Sequence, residues 1–550
     1  MSPLSAKSNL ESAAAQERLE RSYQSVLQFL QSKLQSQSQT THWTGRLSTS
    51  ALSTATAVSA LWQCLQTQAT SSPTKAAKTR SADTSPSKIE EAIDVAVHWL
   101  AAQQNEDGGF GDTDRSHSNI ATSYLVLAAW KMTGFDAKVP EAYRRIENYI
   151  EELGAWDGLR QRYGKDKTFV VPILSNCALA GLVPWKRVAA LPFEAAWLPQ
   201  DWYRLARMPV VSYAIPALVA IGQARHHFAP SWNPLVRALR NRAIEPTLGV
   251  LSKMQPASGG YLEATPLTSF VLMNLAAMGK ANLPVAKNCL RFLLDSRLED
   301  GSWPIDTNLA TWVTNLTLNS LARRSGALQV TVRNQPDPSP SQTQNAPASS
   351  DAEQLCSGVD DSVASETVRW VLRCQHKGRH PFTGAQPGGW GWTDLSGAVP
   401  DSDDTPAALL ALSKLELDSP EQARLKHEVA VAAASGLGWL LQLQNRDGGW
   451  PTFCRGWGKL PFDRSGTDLT AHALRAFHAW LPRFGELQQA ASFDGAACRL
   501  KESQIRKATN RGLSYLARNQ AEDGSWLPLW FGNQDRPDED NPIYGTSKVL

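Results

Sequence analysis

GWLLQLQNRDGGW, residues 438–450, is the stretch on which the reading of this chain turns. An apolar run with helical spacing stops near Gln444, an Asn-Arg-Asp-Gly-Gly turn follows, and Trp450 closes it. A Gly pair after such a run ends a helix, because glycine accepts the left-handed backbone that a helix C-terminus favours. The same string returns as HWLAAQQNEDGGF (98–110), RFLLDSRLEDGSW (291–303) and SYLARNQAEDGSW (514–526). Looser copies are QPASGGY (255–261) and CQHKGRHPFTGAQPGGW (374–390). Apolar helical stretches that open on small or hydroxyl residues follow at 121–134, 267–279, 310–322, 404–415 and 468–480, and 42–62 reads as a diverged member. Each repeat is therefore expected to be a helical hairpin, with the aromatic packed back on the helix it follows. Strand signals are almost absent. Hairpins of this kind bury their apolar faces by stacking, so the expected fold is all-α, an α-solenoid or closed α/α toroids.

The rest of the sequence sets limits around that reading. The 550 residues carry 55 basic and 52 acidic side chains, net +3, which gives no basic field for nucleic acid. Hydrophobic residues make up 42% and the mean hydropathy is −0.32, which excludes a polytopic membrane protein. Seven scattered cysteines, without a CxxC pair, point to a reducing compartment. The N-terminus, MSPLSAKSNLESAAAQ, has no signal-peptide pattern. Twenty tryptophans, about three times a typical share of roughly 1%, outnumber both Phe and Tyr and require an explanation. Residues 66–87 and 327–360 are rich in Ser, Thr, Pro, Gln and Ala and read as linkers. They divide the chain into 1–65, 88–326 and 361–550, and residues 16–35 form an amphipathic helix.

The sharpest chemical feature is Pro400-Asp401-Ser402-Asp403-Asp404-Thr405, with three carboxylates at the start of a helix. Capping and the helix dipole account for many such clusters. Here the cluster follows GGWGWTDLSGAVP, whose aromatics could wall an apolar pocket. Crowded carboxylates raise one another's pKa, so one can stay protonated and act as a proton donor to a poor base.

At these residues the sequence resembles the class II triterpene cyclases, in particular the squalene–hopene cyclases. The Gln…Gly-x-Trp strings look like that family's QW repeats, and Asp401–Thr405 fits its Asp-x-Asp-Asp-Thr signature. The resemblance implies two α/α toroids, with 88–326 as the inserted barrel and the flanking segments, 1–65 included, joined as the catalytic one. It implies Asp403 as the general acid, flanked by Asp401 and Asp404. His472, in Asp468-Leu469-Thr470-Ala471-His472, would hydrogen-bond the acid, with Asp468 in support. Trp392, Phe453, Trp312, Trp530 and Tyr544 fall at cavity positions, where aromatic faces stabilise carbocations. The tryptophans inside the repeats (303, 390, 450 and 526) are assigned to packing. Val313 stands where the family has Asp in a Trp-Asp-Thr string. The resemblance further implies squalene or a related polyprene as substrate, no metal or cofactor and no nucleic-acid partner. It implies a peripheral, monotopic position on the cytoplasmic side of the membrane, and it is compatible with a homodimer. Segments 169–193 and 208–224, apolar and too short to span, are the expected membrane patch. Family members continue past a Tyr-Gly-Thr string, so further repeats are expected beyond Leu550.

Three competing readings stay open. A cyclase of another isoprenoid is one. A prenyltransferase-like subunit with zinc on Cys454 and His472 is another. The third is a non-catalytic toroid that binds lipid or protein.

Overall fold

Two kinds of helix are written into the sequence, and they occupy different layers. Helices that are apolar all round belong inside, and those with one apolar stripe cover them. The computed structural model describes residues 3–36, 41–70, 84–163, 167–199, 202, 214–322, 328–331, 362–381, 383–455, 461–493 and 500–550. In chain order the first helices are α1 (Pro3–Ser36), α2 (Ala51–Thr70), α3 (Pro86–Ala102), α4 (Ile120–Thr133), α5 (Pro140–Glu152), α6 (Ala155–Tyr163) and α7 (Lys167–Leu179). Next come α8 (Ile215–Phe228), α9 (Pro234–Met254), α10 (Thr265–Ala277), α11 (Pro284–Asp295) and α12 (Ala310–Leu321). The last are α13 (Ser365–Arg373), α14 (Asp404–Ser413), α15 (Ala423–Leu443), α16 (Thr467–Trp480), α17 (Phe484–Phe493), α18 (Glu502–Arg518) and α19 (Pro542–Val549). The described strands are short: β1 (Thr49–Ser50), β2 (Trp303–Pro304), β3 (Leu328–Thr331), β4 (Ser362–Ala364) and β5 (Leu415–Glu416).

Inner helix α10, TPLTSFVLMNLAA, buries ten residues running from Thr265 to Ala276 on every side. Outer helix α5 buries only Ile146 and Ile150, one turn apart. The inner helices α2, α4, α7, α8 and α10 pack each on the next, and α10 returns to α2, which closes a ring. A second row runs α12, α14, α16 and α19. The ring and the second row each have their own buried core, the first lined by α2, α4 and α10, the second by α12, α14 and α16. The all-α toroid fold expected from the repeats is the fold observed.

Every element of the repeat string has a hydrogen-bonding task. After α15, the Gln444 amide donates to the Gly448 carbonyl (2.8 Å) and to the Ala508 carbonyl of α18 (2.9 Å). The Trp450 indole donates to the Leu440 carbonyl (2.8 Å), and its backbone N–H donates to Thr470 Oγ1 on the following inner helix (3.0 Å). Gly448 has φ +99°, and a Cβ there would lie 2.5 Å or less from the Arg511 carbonyl oxygen, at 2.4 Å. Gln104, Gln255 and Gln375 each make the same two bonds, to the turn and to the neighbouring outer helix. Trp303, Trp390 and Trp450 are fully buried, so the packing role expected for the repeat tryptophans holds for these three. Trp526 keeps its indole bond to the Leu516 carbonyl but is only partly buried.

The same hydroxyl bond shows how the chain is threaded. The Trp303 N–H donates to Thr54 Oγ1 on α2 (3.0 Å), and β1 pairs with β2 beside it. The Trp43 N–H donates to Thr314 Oγ1 on α12 (3.0 Å). The inner helix of the Trp303 repeat is therefore α2, and that of the Trp43 repeat is α12. This corrects two expected boundaries. Residues 51–65, assigned to the catalytic segment with the rest of 1–65, pack in the first core, whereas Leu27 and Trp43 lie in the second. Helix α12, assigned to the inserted barrel, lines the second core with Ala310, Leu318 and Leu321. Sequence order alone pairs each turn with the next helix, and the ring closes instead on the helix that supplies the hydroxyl.

The expected linkers are also narrower than predicted. Residues 66–70 continue α2 and residues 86–87 lie in α3. Within 327–360, β3 pairs parallel with β4 and β5. Residues 71–83 and 332–361 lie outside the described residues.

Candidate active site

The acidic string sits where α14 begins, opposite α16. Asp401 Oδ1 accepts the backbone N–H groups of Asp403 (2.9 Å) and Asp404 (2.7 Å), and so caps α14 from two residues upstream. Ser402 fixes the string to the next repeat: its N–H donates to the Thr452 carbonyl (2.7 Å) and its hydroxyl to the Pro451 carbonyl (2.5 Å). The Trp390 N–H donates to Thr405 Oγ1 (2.9 Å), the repeat bond again. The middle carboxylate is thereby held out from the wall. The Asp403 side chain is 31% exposed, while Asp401 and Asp404 are buried.

Across from it, His472 presents Nδ1 to Asp403 Oδ1 at 2.9 Å. Burial pushes the Asp403 carboxyl up. The hydrogen bonds from His472 and the Trp312 indole, with the charges of His472 and Lys548, outweigh that and hold it below the usual range. The two carboxyls behind it move the other way. Burial raises Asp401 to about 7 despite its backbone donors. Burial and the charges of Asp401 and Asp403 raise Asp404 well above its usual value, and its side-chain hydrogen bond to Asp401 adds to the rise. Burial and the neighbouring carboxyls thus favour the protonated form of Asp404, while Asp403, the one held low, is the strongest acid of the three.

Asp468 is buried in the same region, and the side-chain bond described for it is not to the histidine. Its Oδ1 accepts the Leu529 N–H (3.3 Å), which holds the 527–530 segment on α16. Burial, with the Asp403 charge adding, raises its pKa. Tyr544 on α19 feels both Asp403 and Asp468, and burial followed by those two charges raises its phenol. Phe453 stacks on Phe462 (4.7 Å between centroids), and Phe462 contacts Trp530 (4.8 Å). The Trp530 indole donates to Thr452 Oγ1 (2.9 Å). Trp392 contributes through its backbone, its carbonyl accepting the Trp312 N–H (3.1 Å).

The structure therefore gathers Asp401, Asp403, Asp404, His472 and Trp312 around one carboxyl, with Tyr544 and Asp468 in its field. It places Phe453 and Trp530 in a second aromatic group and ties Trp392 to Trp312. Sequence reading missed Phe462, which joins Phe453 to Trp530; it lies outside any repeat and no pattern marks it. It also missed Lys548, whose charge bears on Asp403. Cys454 and His472 are engaged separately, the thiol with the Phe462 carbonyl (3.6 Å) and the imidazole with Asp403. Among the described residues no three His, Cys, Asp or Glu side chains group as a metal site.

The membrane patch expected at 169–193 and 208–224 is largely inside the protein. Val171, Ile173, Val183, Val188 and Phe193 are buried, and Ile215, Leu218, Val219 and Ile221 lie on inner helix α8. Residues 208–213 lie outside the described residues. Among the described residues from 169 to 239, the exposed large apolar side chains are Phe169, Trp197, Leu198, Trp202, Phe228, Trp232, Leu235 and Leu239, and of these only Phe169 lies in the expected segments. No helix among the described residues is long and apolar enough to cross a membrane.

Comparison with known proteins gives independent matches at both ends of the chain. Residues 354–550 match the squalene-hopene cyclase C-terminal domain, and residues 10–169 match the prenyltransferase alpha-alpha toroid domain. A squalene hopane cyclase of Aspergillus fumigatus is 25% identical over 82% of this chain and 65% of its own length. An enfumafungin synthase of Hormonema carpetanum is 24% identical over 82% of this chain and 35% of its own. A probable squalene–hopene cyclase of Sinorhizobium fredii is 23% identical over 84% of this chain and 78% of its own. The chain thus spans less than two thirds of the length of the two fungal relatives.

Proposed function

We propose that this chain, whose C-terminal region belongs to the squalene-hopene cyclase C-terminal domain family, is a squalene cyclase that starts a carbocationic ring-forming cascade by protonation. The observation that carries the reading is the 2.9 Å bond between His472 and a partly open Asp403 whose two neighbouring carboxyls are buried.

The first step moves one proton. Protonated Asp403 gives its carboxyl hydrogen to the less-substituted carbon of a terminal, trisubstituted double bond. The O–H bond breaks, a C–H bond forms from the alkene π pair, and a tertiary cation remains. An alkene is a very weak base, so the donor must be a strong acid. His472, Trp312 and Lys548 supply that by stabilising the carboxylate left behind, which is the same effect that lowers its pKa. Asp404 beside it, whose burial disfavours ionisation, opposes a second negative charge there. The cation then advances as successive double bonds attack it. The group formed by Phe453, Phe462 and Trp530, together with Tyr544, offers π faces that stabilise positive charge without capturing it. Loss of a proton or capture of water ends the cascade, and a hopane-type skeleton is the product we assign to it.

Squalene partitions into bilayers, so the chain must meet a membrane. We assign the contact to the exposed indoles of Trp202, at 56%, and Trp232, at 92% exposure, with Leu235 and Leu239 one turn apart on α9. Replacing Trp232 and Leu235 together by Ser should reduce co-sedimentation with liposomes severalfold, and unchanged co-sedimentation would remove this assignment.

The deciding experiment is incubation of the detergent-solubilised protein with squalene, with products read by gas chromatography and mass spectrometry. A pentacyclic hydrocarbon or alcohol that disappears with Asp403→Asn is expected. Unchanged squalene from a folded protein would overturn the reading, and turnover of a different polyprene would transfer it to another isoprenoid.

A further inference from the structure

Glu263 is a carboxyl group that the proposed chemistry does not use, yet it is wholly buried. It lies at the end of the QPASGGY turn, where Leu262 and Glu263 both hold left-handed backbone, φ +58° and +52°. Such conformations cost non-glycine residues energy, so the surroundings must enforce them. Three separate segments meet here. The Glu263 carbonyl accepts the Thr307 N–H (3.3 Å) and hydroxyl (3.1 Å). Its Oε1 accepts the Ser258 hydroxyl (2.7 Å) and the Gly397 N–H (2.8 Å). Ser396, next to Gly397, accepts the Ala257 N–H (2.9 Å).

Residues 394–400 are the loop that delivers the acid motif. The Asp401 N–H, four residues past Gly397, donates to the Trp390 carbonyl (3.0 Å). The only side-chain bonds described between the 257–263 turn and this loop are those of Ser396 and Glu263. Gly397 leaves no spare room: a Cβ there would lie 2.3 Å from Glu263 Oε1. Glu263 Oε2 has no partner and is fully enclosed. A buried carboxyl with one oxygen doubly engaged and the other idle is costly to keep unless the engaged oxygen matters.

We propose that Glu263 is a positioning residue for the acid motif, a clamp from the first ring that fixes loop 394–400 and so sets Asp403 against His472. Its role in turnover rests on the cyclase reading; the clamp itself does not. It acts as an acceptor, through Oε1, and transfers no proton. A glutamine can keep that acceptor, whereas an alanine cannot.

The test compares Glu263→Gln and Glu263→Ala in the full chain, with hydrogen exchange read by mass spectrometry beside squalene turnover. For Glu263→Ala the expected result is at least tenfold faster exchange across 394–400, with α4 and α10 unchanged. kcat should fall ten- to a hundredfold, with KM within about threefold. Glu263→Gln should keep both loop protection and kcat within about threefold of the parent. Gly397→Ala, which crowds the clamp from the other side, should reproduce the alanine pattern if Glu263→Ala folds poorly. Unchanged loop exchange in both Glu263→Ala and Gly397→Ala would overturn the clamp. A Glu263→Gln variant that protects the loop but loses turnover would overturn the positioning role in favour of proton transfer. If the parent protein does not turn over squalene, the cyclase reading fails while the exchange arm still decides the clamp.

Discussion

Replacing Gln444 by Leu keeps the side-chain volume roughly constant and removes its polar atoms. In the structure that side chain is buried and serves three partners: the Gly448 carbonyl, the Ala508 carbonyl and the Arg511 guanidinium (3.1 Å). Arg511 also holds the Asn445 carbonyl, so it does not lose all its acceptors. The two carbonyls lose the Gln donor. A buried group left without its partner costs about 1–3 kcal/mol, so the pair should cost about 4 kcal/mol together. For a unit the size of the second ring that corresponds to a fall of roughly 10 °C in Tm. Gln520 is the internal control. It makes the turn bond, to the Gly524 carbonyl (2.8 Å), at an exposed position, and no bond to a neighbouring outer helix is described for it. Gln520→Leu should therefore cost less than about 1 kcal/mol. The assay is thermal and urea unfolding followed by circular dichroism, analysed with two transitions if the rings separate. Equal losses from the two variants would refute the argument that the second carbonyl, on the adjacent outer helix, makes the glutamine valuable.

Three more expectations follow from the same geometry. Asp403→Asn should lower squalene turnover by about a thousandfold or more, the upper part of the range for general-acid catalysis, with Tm unchanged within about 2 °C; retained turnover would exclude Asp403 as the acid. Glu263 titrates near 7 when folded against an ordinary 4.5, because burial disfavours its charge. Its stabilising share is thus complete below about pH 4.5 and is lost as the pH rises through about 7. Over that window Glu263→Gln should gain on the parent by up to about 3 kcal/mol in unfolding free energy, and parallel stability–pH curves would contradict it. Gly448→Ala should destabilise strongly, because the left-handed backbone is compounded by the Arg511 carbonyl 2.4 Å from the new carbon. Gly524→Ala has φ +84° but its nearest neighbour is 3.8 Å away, so it should cost only about 1–2 kcal/mol; thermal unfolding of the two compares them directly.

The repeats made the hairpin fold legible because their chemistry is local. Gln444, Gly448 and Trp450 bond within a dozen residues of one another, so spacing alone exposes them. The acid motif was legible for the same reason, and His472 only through its place in a second short string. What stayed hidden is contact between distant segments. Nothing near Thr54 or Thr314 says which tryptophan each will meet, and this is why α2 and α12 were first assigned to the wrong rings. Phe462, Lys548 and Glu263 lie in no string, and their partners come from other elements. The apolar stretches at 169–193 and 208–224 read as a surface because hydropathy cannot tell a lipid-facing segment from an inner helix of a ring.

The threading of α2 and α12 bears on how the chain reaches its native state. Repeat arrays usually assemble from contacts between successive units, and their chains can collapse as they are made. Here two contacts wait for partners far downstream: Thr54 of the first ring meets Trp303 across 249 residues, and Trp43 meets Thr314 of the second row across 271. Both contacts need the segment around 303–314, so on the ribosome neither can form until that segment has emerged. Until then α2, which is apolar and finally enclosed, has no ring to enter. Loop closure over such spans is slow, and the waiting helix is a natural client for chaperones. A nascent chain halted before residue 303 should therefore hold α2 open to protease, and one extended past about 350 should protect it.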